Sequence, residues 1–247
     1  MRLKILSYNI HKGFTTWNRD FVLGRIRAAL RETDADVLFL QEVLGEHRGM
    51  IKHLSDSETR IQFEYLADSV WTHFAYGKNA IYADGDHGNA ILSKYPISSW
   101  SNQTISDDRR ELRGLLKARI QTGPGQEIVL ANTHLDLTQK GRDNQTQVLI
   151  NDLKEEKVPW VLVGDFNDWN KRISPVIEEK LQAVEAFKFL HGKYPPTFPS
   201  FLPMLSLDRV FIYQMRPVLA QALTDATWKR LSDHLPLYVE VDLEEAA

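Results

Sequence analysis

Six short polar signatures, each set against an apolar run, are spread from one end of the chain to the other. They are Asn9 after LKILSY, Gln41-Glu42 after DVLFL, Thr133-His134 after IVLAN, Gly164-Asp165-Phe166-Asn167 after WVLV, Leu207-Asp208-Arg209 before VFIY, and Ser232-Asp233-His234 before LPLYVEV. Gathered at strand ends, these groups supply what a divalent cation and a phosphate ester require: hard oxygen ligands for the ion, and neutral or cationic donors for the phosphoryl oxygens. Taken singly, each has a plainer reading. Glu42 fits a strand-end ion pair, Asn167 an Asx-type turn and His234 a structural histidine. A turn does not account for the carboxylate emerging from WVLV, and a carboxylate closing DVLFLQE is costly to bury unless it is paired or bound to a cation.

The elements that must position these groups alternate between strands and helices. Strands are predicted near 3 to 9, 36 to 40, 72 to 76, 88 to 93, 114 to 120, 127 to 134, 160 to 164, 207 to 213 and 236 to 242, most of them rich in Ile, Val, Leu and aromatics. Helices are predicted near 19 to 32, with Phe21, Ile26 and Leu30 as an apolar stripe, and near 138 to 153, with Val148, Leu149 and Leu153. A third is predicted near 174 to 184, with Ser174 as N-cap and Pro175 at the first helical position. Asn9, Glu42, His134 and Asp165 follow their apolar runs, whereas Asp208 and His234 precede theirs. If all meet at one edge, the two sets of strands run in opposite directions. That points to mixed sheets and against an all-parallel barrel or a doubly wound dinucleotide fold.

Composition sets the outer bounds. A chain of 247 residues, 43% hydrophobic and 26% charged, is long enough for one large α/β domain over 1–247. The stretch around Leu3 to Ile10 is short and contains Lys4 and Ser7, so it reads neither as a signal peptide nor as a transmembrane segment. With no cysteine there are no disulfides and no thiolate metal sites, and the cytoplasm is the expected location. A net charge of −3 argues against nucleic-acid binding through a broad basic surface, though a local patch stays compatible with it.

The segments LSYNIHKG, FLQEV, ANTHLD, VGDFND, LDRVF and SDHLP, in this order, resemble the endonuclease/exonuclease/phosphatase (DNase I-like) family of divalent-metal phosphoesterases over nearly the whole chain. HKGF, FAYGKNAIY, HGNAILSKYPI and TFP look closest to its bacterial YbhP type. The resemblance implies a four-layer α/β/β/α sandwich of two mixed sheets flanked by helices, and Mg²⁺ or Mn²⁺ as cofactor. It implies Glu42 as central metal ligand with Asn9 and Asp233 beside it, Asp165 and Asn167 holding the attacking water, His234 on the scissile phosphate oriented by Asp208, and His134 as a second phosphate contact. Gln41 is read as a positioning residue.

Weaker signals surround this set. Arg113 opens the strand LLKARI, where it fits either bidentate pairing with a phosphate or a solvated strand end. His11, Lys12, His87 and Asn89 lie beside motif positions and are candidates to line a substrate pocket. Arg142 and Gln145 fit one solvated helix face equally well. Trp169 and the stretch Tyr194 to Pro203 could wall a site or simply be core.

The reading that follows is a metal-dependent phosphodiesterase or phosphatase acting on a small or lipid phosphoester, with no obligate protein partner. A DNA or RNA endonuclease or exonuclease is the alternative, supported if Lys12, Lys78, Arg109, Arg110, Arg113, Lys171 and Arg172 form a basic groove. A catalytically silent scaffold ranks last, because such a chain would be expected to lack one of Glu42, Asp165, Asn167, Asp208 or His234.

Overall fold

The computed structural model describes residues 1–47, 61–82, 85–106 and 112–243. Its strands are β1 (Arg2–Asn9), β2 (Val37–His47), β3 (His73–Tyr82), β4 (Gly85–Ser93), β5 (Ile97–Thr104), β6 (Gly114–Gly123), β7 (Gln126–His134), β8 (Trp160–Asp165), β9 (Val184–Glu185), β10 (Asp208–Tyr213), β11 (Met215–Ala222) and β12 (Leu237–Leu243). Its α-helices are α1 (Leu23–Glu32), α2 (Gln62–Ala67), α3 (Gln139–Leu153), α4 (Ile173–Leu181) and α5 (Ala186–His191).

Alternation along the strands builds four layers. In β1 and β2, Leu3, Ile5, Val37 and Phe39 point to the interior between two sheets, where they meet Leu116, Leu130, Val161 and Val210. Their neighbours Leu6, Tyr8, Leu38 and Leu40 face outward onto Ile26 and Leu30 of α1 and Phe63 and Leu66 of α2. On the far side, Val129, Trp160, Leu162 and Phe211 face Leu149 and Leu153 of α3 and Ile173 and Ile177 of α4. Strands buried on both faces read as the continuous apolar runs that the sequence displays.

One sheet has the order β11-β12-β1-β2-β4-β3 and the other β5-β6-β7-β8-β10-β9. The pairs β1/β2 and β7/β8 are parallel, whereas β10 is antiparallel to β8 and β12 to β1. Strand directions therefore oppose each other as the order of the polar signatures requires.

Two local devices aim side chains at the site. In β2 the register slips between Leu40, opposite Ala90, and Val43, opposite Gly88, so that Gln41 and Glu42 together face Asn89. Such a bulge re-aims a side chain beside a functional edge. Here Glu42 adopts a φ of 53°, and Val43 returns to the outward face occupied by Leu38 and Leu40. In β8, Gly164 has a φ of 153°, and a Cβ there would lie 1.9 Å from the Thr133 carbonyl oxygen, so only glycine lets β8 approach β7 next to Asp165.

Helix starts depart from the sequence expectation. Phe21 lies outside α1, in an isolated antiparallel bridge with Phe14, whose ring it meets edge-on at 5.2 Å. The N-terminus of α4 is held not by Ser174 but by Asp168, whose Oδ2 accepts from the backbone N–H of Ile173 and Ser174, both at 3.1 Å. Ser174 is the second helical residue, with its own hydroxyl donating to that carboxylate at 3.0 Å. Among the described residues no helix is long and apolar enough to cross a membrane.

Candidate active site

At one edge of the sandwich both sheets deliver side chains to a cleft of about 380 Å³, lined by residues that include Lys12, Glu42, His87, Arg113, His134, Asp165, Asn167 and His234. From the second sheet, His134 and Asp165 end the parallel strands β7 and β8 side by side. Asp208 opens β10 directly opposite Asp165. From the first sheet come Asn9 at the end of β1, Glu42 on the bulge of β2, and His234 just before β12.

A continuous polar chain joins them. His234 Nδ1 donates to Asp208 Oδ2 at 2.9 Å, while its Nε2 lies 3.5 Å from Asp165 Oδ2. His134 Nε2 approaches the same Asp165 oxygen at 3.5 Å. The Asn9 amide nitrogen bridges the halves, donating to Asp165 Oδ2 at 3.2 Å and to Glu42 Oε1 at 3.1 Å. Asn167 follows Asp165 with a φ of 49°, donates its backbone N–H to Asp165 Oδ1 at 3.0 Å, and commits its amide nitrogen to the Leu135 carbonyl at 3.0 Å. Its Oδ1 is thereby the atom left to accept. Phe166 turns away into the outer core against Phe211, so Asp165 and Asn167 share the cleft as the two-residue spacing predicts.

Proton affinities diverge along this chain. Burial raises the Asp165 carboxyl, and neighbouring Asp208 adds to the effect while His234 opposes it. On His234 burial works against charge, yet the Asp208 and Asp165 carboxylates override it and push the imidazole up to about 10, so it is an imidazolium at neutral pH. Burial and the positive charge of Arg113 hold His134 well below the ordinary range, and burial with Lys12 brings His87 down to about 4. Both are neutral rings. Glu42, whose side chain keeps 20% of its exposure, is the opposite of Asp165: burial alone would raise it, but Lys12 at 3.9 Å and the Asn9 amide hold it below its usual value.

Other candidates take different places. Arg113 is buried in the cleft wall rather than solvated at a strand end. Asp233 lies to the side, with Oδ1 accepting from the Ser232 hydroxyl at 3.3 Å and sitting 3.9 Å from His11 Nδ1; neither Asp233 nor His11 lines the cleft. Asn89 is buried behind it, its amide reaching toward the Gly114 and Asn132 carbonyls at 3.3 and 3.5 Å. Lys78 is paired with Asp86 at 3.0 Å, and Arg109 and Arg110 lie outside the described residues. Arg142 and Gln145 do not form a solvated face. Both are buried, with Arg142 donating to the Leu137 carbonyl at 2.6 Å and stacking over Trp169 at 4.1 Å, and Gln145 accepting from Asp136 N–H at 2.8 Å.

Three supporting residues were given no role by the sequence reading. Asn132 receives the Gln41 amide at 2.8 Å and donates to the Leu40 and Ala90 carbonyls at 3.0 and 2.8 Å, stitching the sheets together beneath the cleft. Arg209, fully buried, donates to the Ser174 hydroxyl and to the Ser206 and Asp208 carbonyls, each at 2.9 Å, and covers the Tyr194 ring. Asp168 anchors the same network at α4. For Arg209 the signal was a charge inside an apolar context, LDRVF, which demands a partner but does not name it.

A family model described as the endonuclease/exonuclease/phosphatase family matches residues 6–234. The chain belongs to this family. Among family relatives, the Escherichia coli K12 protein named "Uncharacterized protein YbhP" is 40% identical over 244 residues, covering 97% of this chain and 96% of that one. The crystal structure of an endonuclease/exonuclease/phosphatase from Beutenbergia cavernae superposes with a TM-score of 0.81 at 20% identity, covering 99% of this chain and 72% of that one. Danio rerio TDP2 complexed with single strand DNA product gives a TM-score of 0.71 at 20% identity, over 98% of this chain and 99% of that one. Endonuclease/exonuclease/phosphatase proteins generally hydrolyse phosphoester bonds and generally use divalent metals.

The donor set at the edge fits such an ion. Glu42, Asp165 and Asp208 place carboxylates around one amide and one imidazolium, leaving a surplus of hard anionic oxygens. Asp165, Asp208 and His234 also offer ligand atoms within 4.8 Å of one another. In that trio the imidazole is engaged with Asp208 through Nδ1.

Proposed function

We propose that the protein, acting as one catalytic domain over 1–247, is an Mg²⁺- or Mn²⁺-dependent phosphodiesterase or phosphatase that attacks phosphate with an activated water. The observation that carries the reading is the polar chain Glu42–Asn9–Asp165–His234–Asp208 along one cleft. Glu42 and Asn9 would hold the ion, with Asp233 beside them, and the ion would supply Lewis-acid polarisation of a phosphoryl oxygen.

The side chains of the second sheet handle the water and its proton. Asp165, raised toward neutrality by burial, is suited to take a proton from water near pH 7, while the free Oδ1 of Asn167 orients that water. His234, kept cationic by Asp208, stabilises negative charge developing on the phosphoryl oxygens. Neutral His134 contributes a ring donor, and the Arg113 guanidinium in the cleft wall offers bidentate contact. Asn89 and His11 would act from behind and beside the site, as braces for substrate-binding groups.

The test is hydrolysis of a panel containing an activated diester, an activated monoester, single- and double-stranded DNA, RNA, abasic DNA and phospholipids, with and without Mg²⁺ or Mn²⁺. Metal-dependent cleavage that disappears in His234→Ala is expected. No cleavage of any member would favour a silent scaffold. A nuclease is the second reading, favoured by Lys12 and Arg113 in the cleft and by the likeness to a DNA-bound neighbour; preference for DNA or RNA over all other members would select it.

A further inference from the structure

Besides its charged groups, the cleft is lined by an apolar wall of Leu137, Trp169, Phe198, Leu205 and Leu207. Phe198 packs on the ring of His234, with centroids 5.1 Å apart. Leu207 is buried, but core packing does not account for the other three, because Leu137 is 58% exposed, Trp169 43% and Leu205 40%. The turn that Phe198 and Leu205 close also carries Phe201, Leu202 and Met204, which are 53%, 58% and 68% exposed. This turn is fixed rather than loose: the N–H groups of Met204 and Leu205 donate to the Phe198 carbonyl at 2.9 and 2.8 Å. On the other side, Arg142 clamps Trp169 from beneath and holds the Leu137 carbonyl. An exposed apolar surface held this firmly beside the imidazolium marks a binding surface.

We propose that this wall takes the hydrocarbon chain of the substrate, so that the phosphoester cleaved here carries an alkyl or acyl group. The inference rests on the phosphoester reading above. Its side-chain chemistry selects hydrocarbon over a nucleobase. Bases stack on flat aromatic platforms flanked by a basic track, whereas this surface is mainly aliphatic and Trp169 is already occupied on one face by Arg142. The net charge of −3 gives no compensating long-range attraction for a polyanion.

Equilibrium binding of ethylphosphonate, octylphosphonate and a hexathymidylate, measured by calorimetry in Mg²⁺ below the aggregation limit of the octyl compound, tests this without relying on turnover. A methylene fully removed from water strengthens binding about four-fold, and on a half-open wall roughly 1.5-fold per methylene gives octylphosphonate an advantage of about ten-fold. Leu205→Ser and Leu137→Ser, both at exposed positions, should shrink the octyl-to-ethyl ratio to about two, while Trp100→Ser, on β5 away from the cleft, should leave it unchanged. Equal affinities for the two phosphonates overturn the proposal and leave the phosphate reading standing. An octyl preference that persists in both wall variants also overturns it, by placing the chain elsewhere. Failure of both phosphonates to bind defeats the phosphoester reading and this inference with it. Tighter binding of the oligonucleotide that is lost in Leu205→Ser would assign the wall to bases and overturn the proposal. Sedimentation with phosphatidylglycerol vesicles then separates sources: wall-dependent pelleting points to a bilayer lipid, and octylphosphonate binding without pelleting points to a soluble amphiphile, each in keeping with a hydrocarbon subsite.

Discussion

The two ends of the cleft treat carboxylates in opposite ways. At the Glu42 end, contributed by the first sheet, the carboxylate keeps partial solvent contact, faces Lys12 and is held ionised below its usual range. At the Asp165 end, contributed mainly by the second sheet, two carboxylates are buried almost completely around one imidazolium, and burial raises Asp165. The lesson is that environment assigns the tasks: an ionised, accessible oxygen suits a cation, whereas a buried carboxylate with a raised proton affinity suits proton transfer near neutral pH. Asn9 joins the two ends by donating to both carboxylates.

The largest effect expected from breaking this contrast is at Asp165. Asp165→Asn keeps the shape of the side chain but cannot take a proton, and turnover should fall by about a thousand-fold, read as kcat at saturating metal. A drop of less than ten-fold would move the base elsewhere.

Next comes the imidazolium. Asp208→Asn retains an acceptor but removes the largest of the three carboxylate charges that raise His234. Where activity needs the protonated ring, it is present below the ring's folded pKa and lost as pH rises through it, near 10 in the native protein. The alkaline limb of the pH–rate profile should therefore move down toward the ordinary histidine range, with a loss on the order of ten-fold at pH 8. An unmoved limb would mean that the charge of His234 is not needed.

Glu185 sharpens the comparison as a buried carboxylate with no place in the cleft. Fully buried, it caps α5 by accepting from Lys188 N–H at 2.7 Å, and burial pushes it up to about 7 against backbone N–H groups and Arg209. Its folded pKa exceeds the ordinary value of 4.5, so its favourable contribution is present below about 4.5 and is lost as pH climbs through about 7. Glu185→Gln should flatten that dependence and stabilise the protein at pH 8 by roughly 2 kcal/mol in urea unfolding, with kcat unchanged. Lower stability at pH 8 would show that the ionised cap outweighs its burial.

Much of this was legible in the chain because central strands announce themselves. WVLV and DVLFL are apolar at every position, as double burial demands. The edge strands do not: β5 reads ISSWSNQT and is largely exposed, and β11 carries Pro217 at a register slip, so neither has an apolar period to detect. The short helices α2 and α5, six residues each, offer too few turns for a periodic signal. Within the site, strand-end carboxylates and histidines stood out because burial makes them expensive. The bulge that turns Glu42, the Asp168 cap that displaced Ser174 from that role, and the burial of Arg142 and Gln145 depend on partners distant in sequence. No local pattern encodes them.

The most direct test of the divided cleft is to titrate Mg²⁺ into the native protein, Glu42→Ala and His234→Ala, recording binding by calorimetry and initial rates on the preferred phosphoester. Loss of an oxygen ligand should weaken metal binding at least as much as loss of an outer-shell partner, on the order of 100-fold in Glu42→Ala. His234→Ala should bind the ion within about three-fold of native while turnover falls by about a thousand-fold. Equal loss of metal affinity in both variants would contradict the account.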